Sequence, residues 1–118
     1  MPSRVLIVDD HPSFRATVKT LLTADGFDVV GEAADGSSAL EAVRELKPDL
    51  VLLDVQLPDM DGFAVIEALL KLNGNAPKVV LTSSHDASDF GSIVPRCGAA
   101  AFVPKAELSG AALRAVLR

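Results

Sequence analysis

Asp9 and Asp10 follow the apolar run Val5-Leu6-Ile7-Val8, and Asp54 follows Leu50-Val51-Leu52-Leu53. A carboxylate beside a buried strand needs a partner, because removing a charge from water is costly. Like charges held close also push one another's pKa values up. These three acids therefore call for a cation. A hard ion such as Mg²⁺ prefers oxygen ligands, keeps several waters and often adds phosphate oxygens to its shell. Asp10 and Asp54 suit direct coordination, with Asp9 orienting a metal-bound water. A carboxylate can also attack phosphorus to form an acyl phosphate, which makes Asp54 a candidate nucleophile.

Two further groups belong to this chemistry. Thr82 follows Val79-Val80-Leu81, and Lys105 follows the last apolar run. A threonine hydroxyl can donate to a new phosphate, and an ammonium with a metal would stabilise charge on transferring phosphoryl oxygens. With Mg²⁺ and Lys105 in place, the assembled site is close to neutral. Each residue also has a plainer reading. Asp9 and Asp10 could end a strand and favour the start of a helix. Asp54 could be a turn acid, Thr82 a β-branched strand residue and Lys105 a surface lysine. The convergence of all five on one rim is what favours chemistry.

That convergence requires a particular frame. Short apolar runs at 5–8, 29–30, 50–53, 79–81 and 99–103 alternate with amphipathic stretches. Most are continuously apolar, which suits parallel strands covered on both faces. The run around 28–32 is the most polar and is expected at a sheet edge. Pro12 opens a first helix, with Phe14, Val18, Leu21 and Leu22 on one face and Gly26 beyond its end. Asp35 caps a second helix, with Ala39, Leu40, Val43 and Leu46 inward and Lys47-Pro48 as its stop. Asp61 or a neighbour caps a third, with Val65, Ile66, Leu69 and Leu70 inward and Asn73-Gly74 at its end. A fourth, at 84–96, is expected to be short or kinked because it contains Gly91 and Pro95. A fifth runs from about Glu107, with Leu113, Val116 and Leu117 on one face. Such alternation predicts an α/β three-layer fold with right-handed crossovers. Strand order 2-1-3-4-5 would bring Asp9, Asp10 and Asp54 together at the strands' carboxyl ends.

The 118 residues fit one domain, 1–118, and 49% are hydrophobic, enough for a compact core. No apolar run approaches the length needed to span a bilayer, and no leader peptide is visible. The single Cys97 excludes an internal disulfide and fits a reducing cytoplasm. A net charge of −5 argues against nucleic-acid binding by this chain. His11 lies beside the acids and invites a metal reading, but a hard-cation site does not need imidazole, and before Pro12 it reads as a surface residue at a helix start; His85 reads as a loop residue near the site mouth, and Asp59 and Asp61 as turn and cap residues.

Four motifs then occur in order: Val-Asp-Asp-His-Pro at 8–12, Leu-Leu-Asp-Val-Gln-Leu-Pro-Asp-Met-Asp-Gly at 52–62, Leu-Thr-Ser-Ser at 81–84 and Gly-Ala-Ala-Ala-Phe-Val-Pro-Lys at 98–105. With them the chain resembles the receiver domain of bacterial two-component response regulators, across essentially its whole length. The resemblance implies a flavodoxin-like, doubly wound, five-stranded parallel sheet with helices on both faces. It implies that Asp54 takes a phosphoryl group from a histidine kinase or phosphotransfer protein. It makes Asp10 a direct Mg²⁺ ligand, Asp9 a water-mediated one, and the backbone carbonyl of Gln56 another. Thr82 is similar to the switch hydroxyl, Lys105 to the phosphate-contacting lysine and Phe102 to the switch aromatic, although Phe102 alone reads as half-core. Ser83 matches a position kept small for phosphate access; with Ser84 it also competes with Thr82 as the hydroxyl. Pro58 and Gly62 match the turn after the acceptor strand.

Asp-Asp-His-Pro with Val-Gly-Glu-Ala-Ala-Asp-Gly at 30–36 resembles receivers that precede LuxR-type DNA-binding domains. The chain would then be a stand-alone receiver or part of such a regulator. Its readers would be an output domain or a downstream protein, with homodimerisation possible through the face of the fourth helix, fifth strand and fifth helix. Pro104 and Ala106 around Lys105 depart from the Lys-Pro text common in receivers. Two rivals stand beside this reading. One is a Mg²⁺-dependent aspartyl-phosphate phosphatase or phosphotransferase, opposed by Gln56 where a general-acid Asp would stand. The other is a constitutive pseudo-receiver, opposed by the presence of every acid, the threonine and the lysine.

Overall fold

A computed structural model describes residues 3–55, 57–71, 77–83 and 101–117. Five parallel strands lie in the order β2-β1-β3-β4-β5: β1 is Arg4–Val8, β2 Asp28–Ala33, β3 Leu50–Asp54, β4 Lys78–Thr82 and β5 Ala101–Phe102. Helices α1 (Pro12–Ala24), α2 (Gly36–Leu46) and α3 (Gly62–Leu70) connect them, and a C-terminal helix, Gly110–Leu117, follows β5. The order and the polar edge strand are as the sequence pattern predicts. Gln56, Asn73-Gly74, Ser84, His85, the expected fourth helix with Gly91 and Pro95, and Cys97 lie outside the described residues, as do the side chains of Val116 and Leu117.

Continuous apolar strands can fill two cores at once because their side chains alternate between faces. Leu6, Val8, Val51, Leu53, Val79 and Leu81 pack with Ala39 and Val43 of α2 and Val65, Ile66 and Leu69 of α3. Val5, Ile7, Leu50, Leu52 and Val80 face the other way, onto Val18 and Leu22 of α1, Phe27 and Leu113 of the C-terminal helix. The sheet is thus covered on both sides. The next residue of each second row is Asp9, Asp54 or Thr82, so the pleat that builds the α1-side core also aims the polar rim.

Two inward assignments fail. Leu21 is 38% exposed and Leu70 is 59% exposed. Each is one residue from the buried Leu22 or Leu69, and a helix turns by about 100° per residue, so the neighbour reaches only the rim. The last helix also starts later than expected. Lys105–Glu107 form a single 3₁₀ turn, and the helix begins at Gly110. Ser109 Oγ accepts the Ala112 N–H at 3.1 Å, while Asp25 Oδ2 accepts the Gly110 N–H at 3.1 Å. Satisfying those otherwise orphaned donors sets the start.

Acidic caps also fix the loops around the site. Asp61 accepts from the Ala64 N–H at 2.8 Å and starts α3. Asp35 accepts from the Ser38 N–H at 2.8 Å, and Asp59, from the β3–α3 loop, accepts from Gly36 at 2.8 Å and Ser37 at 3.0 Å. Two carboxylates thereby satisfy the first three donors of α2. Asp59 is a cap across space, which ties the loop after Asp54 to a neighbouring helix.

Asp35→Ala should lose about 1 kcal/mol in urea unfolding, the usual cost of removing an N-cap. The N–H groups of Gly36 and Ser37 hold the Asp59 carboxyl below its ordinary 3.8. Its stabilisation is therefore fully present above that value and lost as pH falls through the lower folded value. In acid titrations of stability, Asp59→Asn should lack that component.

Candidate functional site: an acidic pocket closed by a lysine

The pocket lies at the carboxyl ends of β1, β3 and β4. Asp9 is fully buried, Thr82 is fully buried, and Asp54 and Ser83 are nearly so. Strand pairing sets Val8 beside Leu53 and Asp54 beside Thr82. Backbone bonds carry the order past the strand ends: Asp9 N–H to the Ala33 carbonyl at 3.0 Å and Val55 N–H to the Thr82 carbonyl at 3.0 Å. Val103 N–H bonds to the Leu81 carbonyl at 2.8 Å, and Lys105 N–H to the Ser83 carbonyl at 3.0 Å. Lys105 is thereby held at the rim although it lies beyond β5. All peptide bonds of the described residues are trans, including those around Pro104.

From that position the Lys105 ammonium reaches both buried acids. Nζ stands 2.8 Å from Asp9 Oδ2 and 3.4 Å from Asp54 Oδ2. It also lies 4.3 Å from the centre of the Phe14 ring, a cation–π contact. Asp9 Oδ1 accepts from the backbone N–H of His11 at 2.8 Å. Burial pushes the Asp9 carboxyl up, but the ammonium and the His11 donors outweigh it and hold the group below the usual carboxylate range. The charged form is the one this pocket is built to hold.

Ligating atoms of Asp9, Asp10, His11 and Asp54 all lie within 4.8 Å of one another. That spacing suits a cation shared by several carboxylates. Among the described residues, two buried side-chain atoms lack a hydrogen bond, Asp9 Oδ2 and Thr82 Oγ1. The first has its ion pair with Lys105, outside hydrogen-bonding angles; the second has no partner among the described residues. The donor set therefore fits Mg²⁺ chemistry: oxygen-rich, anionic and incompletely satisfied.

Asp9, Asp10, Asp54, Thr82, Ser83 and Lys105 thus stand around one pocket. Phe102 is half-buried and packs on the α2–α3 side with Leu81, its partner in the sheet, whereas Thr82 continues the α1-side row. Gln56 is outside the described residues. Phe14 and Arg15 were not linked to the site by the sequence reading, and His11 was weighed as a ligand and set aside as a surface residue. The exposed His11 places Nδ1 2.9 Å from Asp9 Oδ1 and 3.0 Å from Asp10 Oδ1. Phe14 supports Lys105. Arg15 donates to the Asp9 carbonyl and pairs with Glu32 at 3.2 Å. Their signal was closeness to Asp9-Asp10: the first turn of a helix that starts at Pro12 must lie over the end of β1.

The comparisons with known proteins agree with this geometry. The response regulator receiver domain family matches residues 5–118. The chain belongs to that family. The DNA-binding response regulator MtrA of Mycolicibacterium smegmatis is 47% identical over 91 residues, covering 75% of this receiver domain and 38% of MtrA. The chemotaxis protein CheY of Thermotoga maritima is 37% identical over 105 residues, covering 89% and 87% of the two chains. A crystal structure of a LuxR-family two-component response regulator from Aurantimonas sp. SI85-9A1 superposes with a TM-score of 0.87 at 30% identity, covering 99% of this chain and 86% of that one. The receiver spans about half the length of other curated relatives, 50% and 51% for two of them. No helix among the described residues is long and apolar enough to cross a membrane.

A Cβ on Gly62 would stand 2.8 Å from the Asp54 carbonyl oxygen and 3.0 Å from Val55 Cα. Backbone cannot give way as a side chain does, so Gly62→Ala should destabilise by about 1–3 kcal/mol, measured by urea unfolding. Thr82→Val should do the opposite. Removing an unpartnered buried hydroxyl relieves a cost of about 1–3 kcal/mol, so the variant should be the more stable in the same assay.

Proposed function

We propose that this domain, 1–118, is a phosphorylation-controlled switch whose Asp54 accepts a phosphoryl group from a histidine kinase or phosphotransfer protein. The observation that carries the reading is the Lys105 ammonium held between Asp9 and Asp54. A carboxylate 3.4 Å from an ammonium suits nucleophilic attack on phosphorus, because the cation can pair with the transferring group's oxygens. An Asp54 oxygen forms the new bond to phosphorus as the bond to the donor's imidazole breaks, and the electron pair leaves with the imidazole. Asp10, Asp54 and the Gln56 carbonyl would hold Mg²⁺, with Asp9 acting through water. Bound there, Mg²⁺ would offset charge on the phosphoryl oxygens.

The residues of the chain do the rest. Lys105 is placed to pair with a phosphoryl oxygen, exchanging one anionic partner for another. Ser83 leaves room at the entrance. Thr82 would turn its hydroxyl toward the acyl phosphate, and a hydrogen bond to a charged acceptor contributes about 1.5–3 kcal/mol. That energy can bias a two-state element roughly tenfold to a hundredfold. Phe102 would repack, altering the face of the fourth helix, β5 and the C-terminal helix. A tethered output domain, a downstream protein or a second copy would read that face. A net charge of −5 argues against nucleic-acid binding by this chain, and its setting would be the cytoplasm. Catalysis here serves only the domain's own phosphorylation and dephosphorylation.

Intact-mass measurement after incubation with a small acyl phosphate tests this directly. With Mg²⁺ the wild type should gain one phosphoryl group, and chelation should prevent it. Asp54→Asn should gain none. An adduct on Asp54→Asn, or an inert wild type with Mg²⁺ present, would overturn the reading.

A further inference from the structure

His11 makes this pocket more than a carboxylate site. Its Nδ1 stands 2.9 Å from Asp9 Oδ1 and 3.0 Å from Asp10 Oδ1. A carboxylate oxygen is an acceptor toward an N–H and a ligand toward a cation, so either a proton or a metal ion can join these atoms. Adjacent ligands at right angles around an octahedral ion, each bonded at about 2.1 Å, stand about 3.0 Å apart. Nδ1 therefore already stands at that spacing from Asp10 Oδ1, the ligand oxygen of the reading above. Two buried groups at the same pocket point the same way. Asp9 is fully buried with one oxygen lacking a directional donor, and Thr82 Oγ1 is buried without a partner among the described residues.

We infer that His11 is a metal ligand, and that the pocket takes a divalent transition ion of the imidazole-binding class more tightly than Mg²⁺. The inference rests on the cation-site reading above and deepens it. Mg²⁺ is a hard ion that prefers oxygen and gains little from an imidazole nitrogen, whereas Co²⁺, Ni²⁺ and Zn²⁺ gain much. Coordination through Nδ1 uses the neutral tautomer with its single proton on Nε2; a proton on Nδ1 passes to solvent, and a ring that had no other takes one up at Nε2. The backbone allows this exchange. His11 is the residue preceding α1, makes no side-chain cap to that helix, and its ring is 63% exposed.

The plainer reading is that His11 only donates a hydrogen bond to two acids. Titration with Co²⁺, followed by visible absorption and calorimetry, separates the two, with Mg²⁺ measured by calorimetry in parallel. The set is the wild type, His11→Ala, His11→Gln, Asp54→Asn and His85→Ala. His11→Gln keeps an N–H donor and lacks the imidazole. Expected is a fall of about tenfold or more in the Co²⁺-to-Mg²⁺ affinity ratio in both His11 variants, since even loss of a residue supporting a ligand costs about 10–100-fold. Asp54→Asn should weaken both ions, and His85→Ala should change neither. An unchanged ratio in His11→Ala, with both ions still bound and weakened by Asp54→Asn, would overturn this inference alone. So would loss of Co²⁺ on replacing His85 instead, or full retention by His11→Gln. Failure of wild type to bind either ion would overturn it together with the cation-site reading.

Discussion

Buried carboxylates and the ammonium that balances them constrain everything else in this domain. Asp9 is fully buried and Asp54 almost so, yet both face Lys105. Without the lysine, two like charges would share a desolvated site, and proton uptake would be the cheapest relief. With it, Asp9 stays ionised against burial. The lysine is in turn placed by Ser83, whose carbonyl binds its backbone N–H, and by the Phe14 ring. Charge balance thus links β1, β3, the end of β4, the segment after β5 and α1.

The rigid surroundings make that balance usable. The alternating strand faces that bury Ile7, Leu52 and Val80 place Asp9, Asp54 and Thr82 one step further along the same rows. Gly62 lets the β3–α3 loop pass against the Asp54 backbone, where a side chain would collide. Asp59 anchors the same loop to α2. Asp54 is consequently set in a frame with little freedom, while the Thr82 hydroxyl has no partner among the described residues. A buried donor without an acceptor is a standing cost, and an incoming anion relieves it. A fixed frame thus stands beside one polar group whose hydrogen bond is unmet among the described residues.

Much of the fold was legible in the chain. Apolar runs at a period that suits two-sided burial announced β1, β3 and β4, and Asp35, Asp61 and Lys47-Pro48 marked helix ends where the backbone places them. The pattern overreached at Leu21 and Leu70, because an apolar residue beside a buried one satisfies periodicity without reaching the core. It also misjudged the start of the last helix, which is decided by Ser109 and by Asp25, a residue far away in sequence.

The acids, the hydroxyl and the lysine were determined by sequence alone, since their types and their places after apolar runs state which chemistry is possible. Their neighbours were not. Whether Lys105 reaches Asp9 more closely than Asp54, whether His11 bridges two acids, and whether Phe14 lies against an ammonium depend on distances of a few ångströms between separate elements. Such distances are set by sheet twist, helix seating and loop caps acting together, and no local pattern of residues encodes them. Sequence thus specifies the reagents; packing decides which atoms meet.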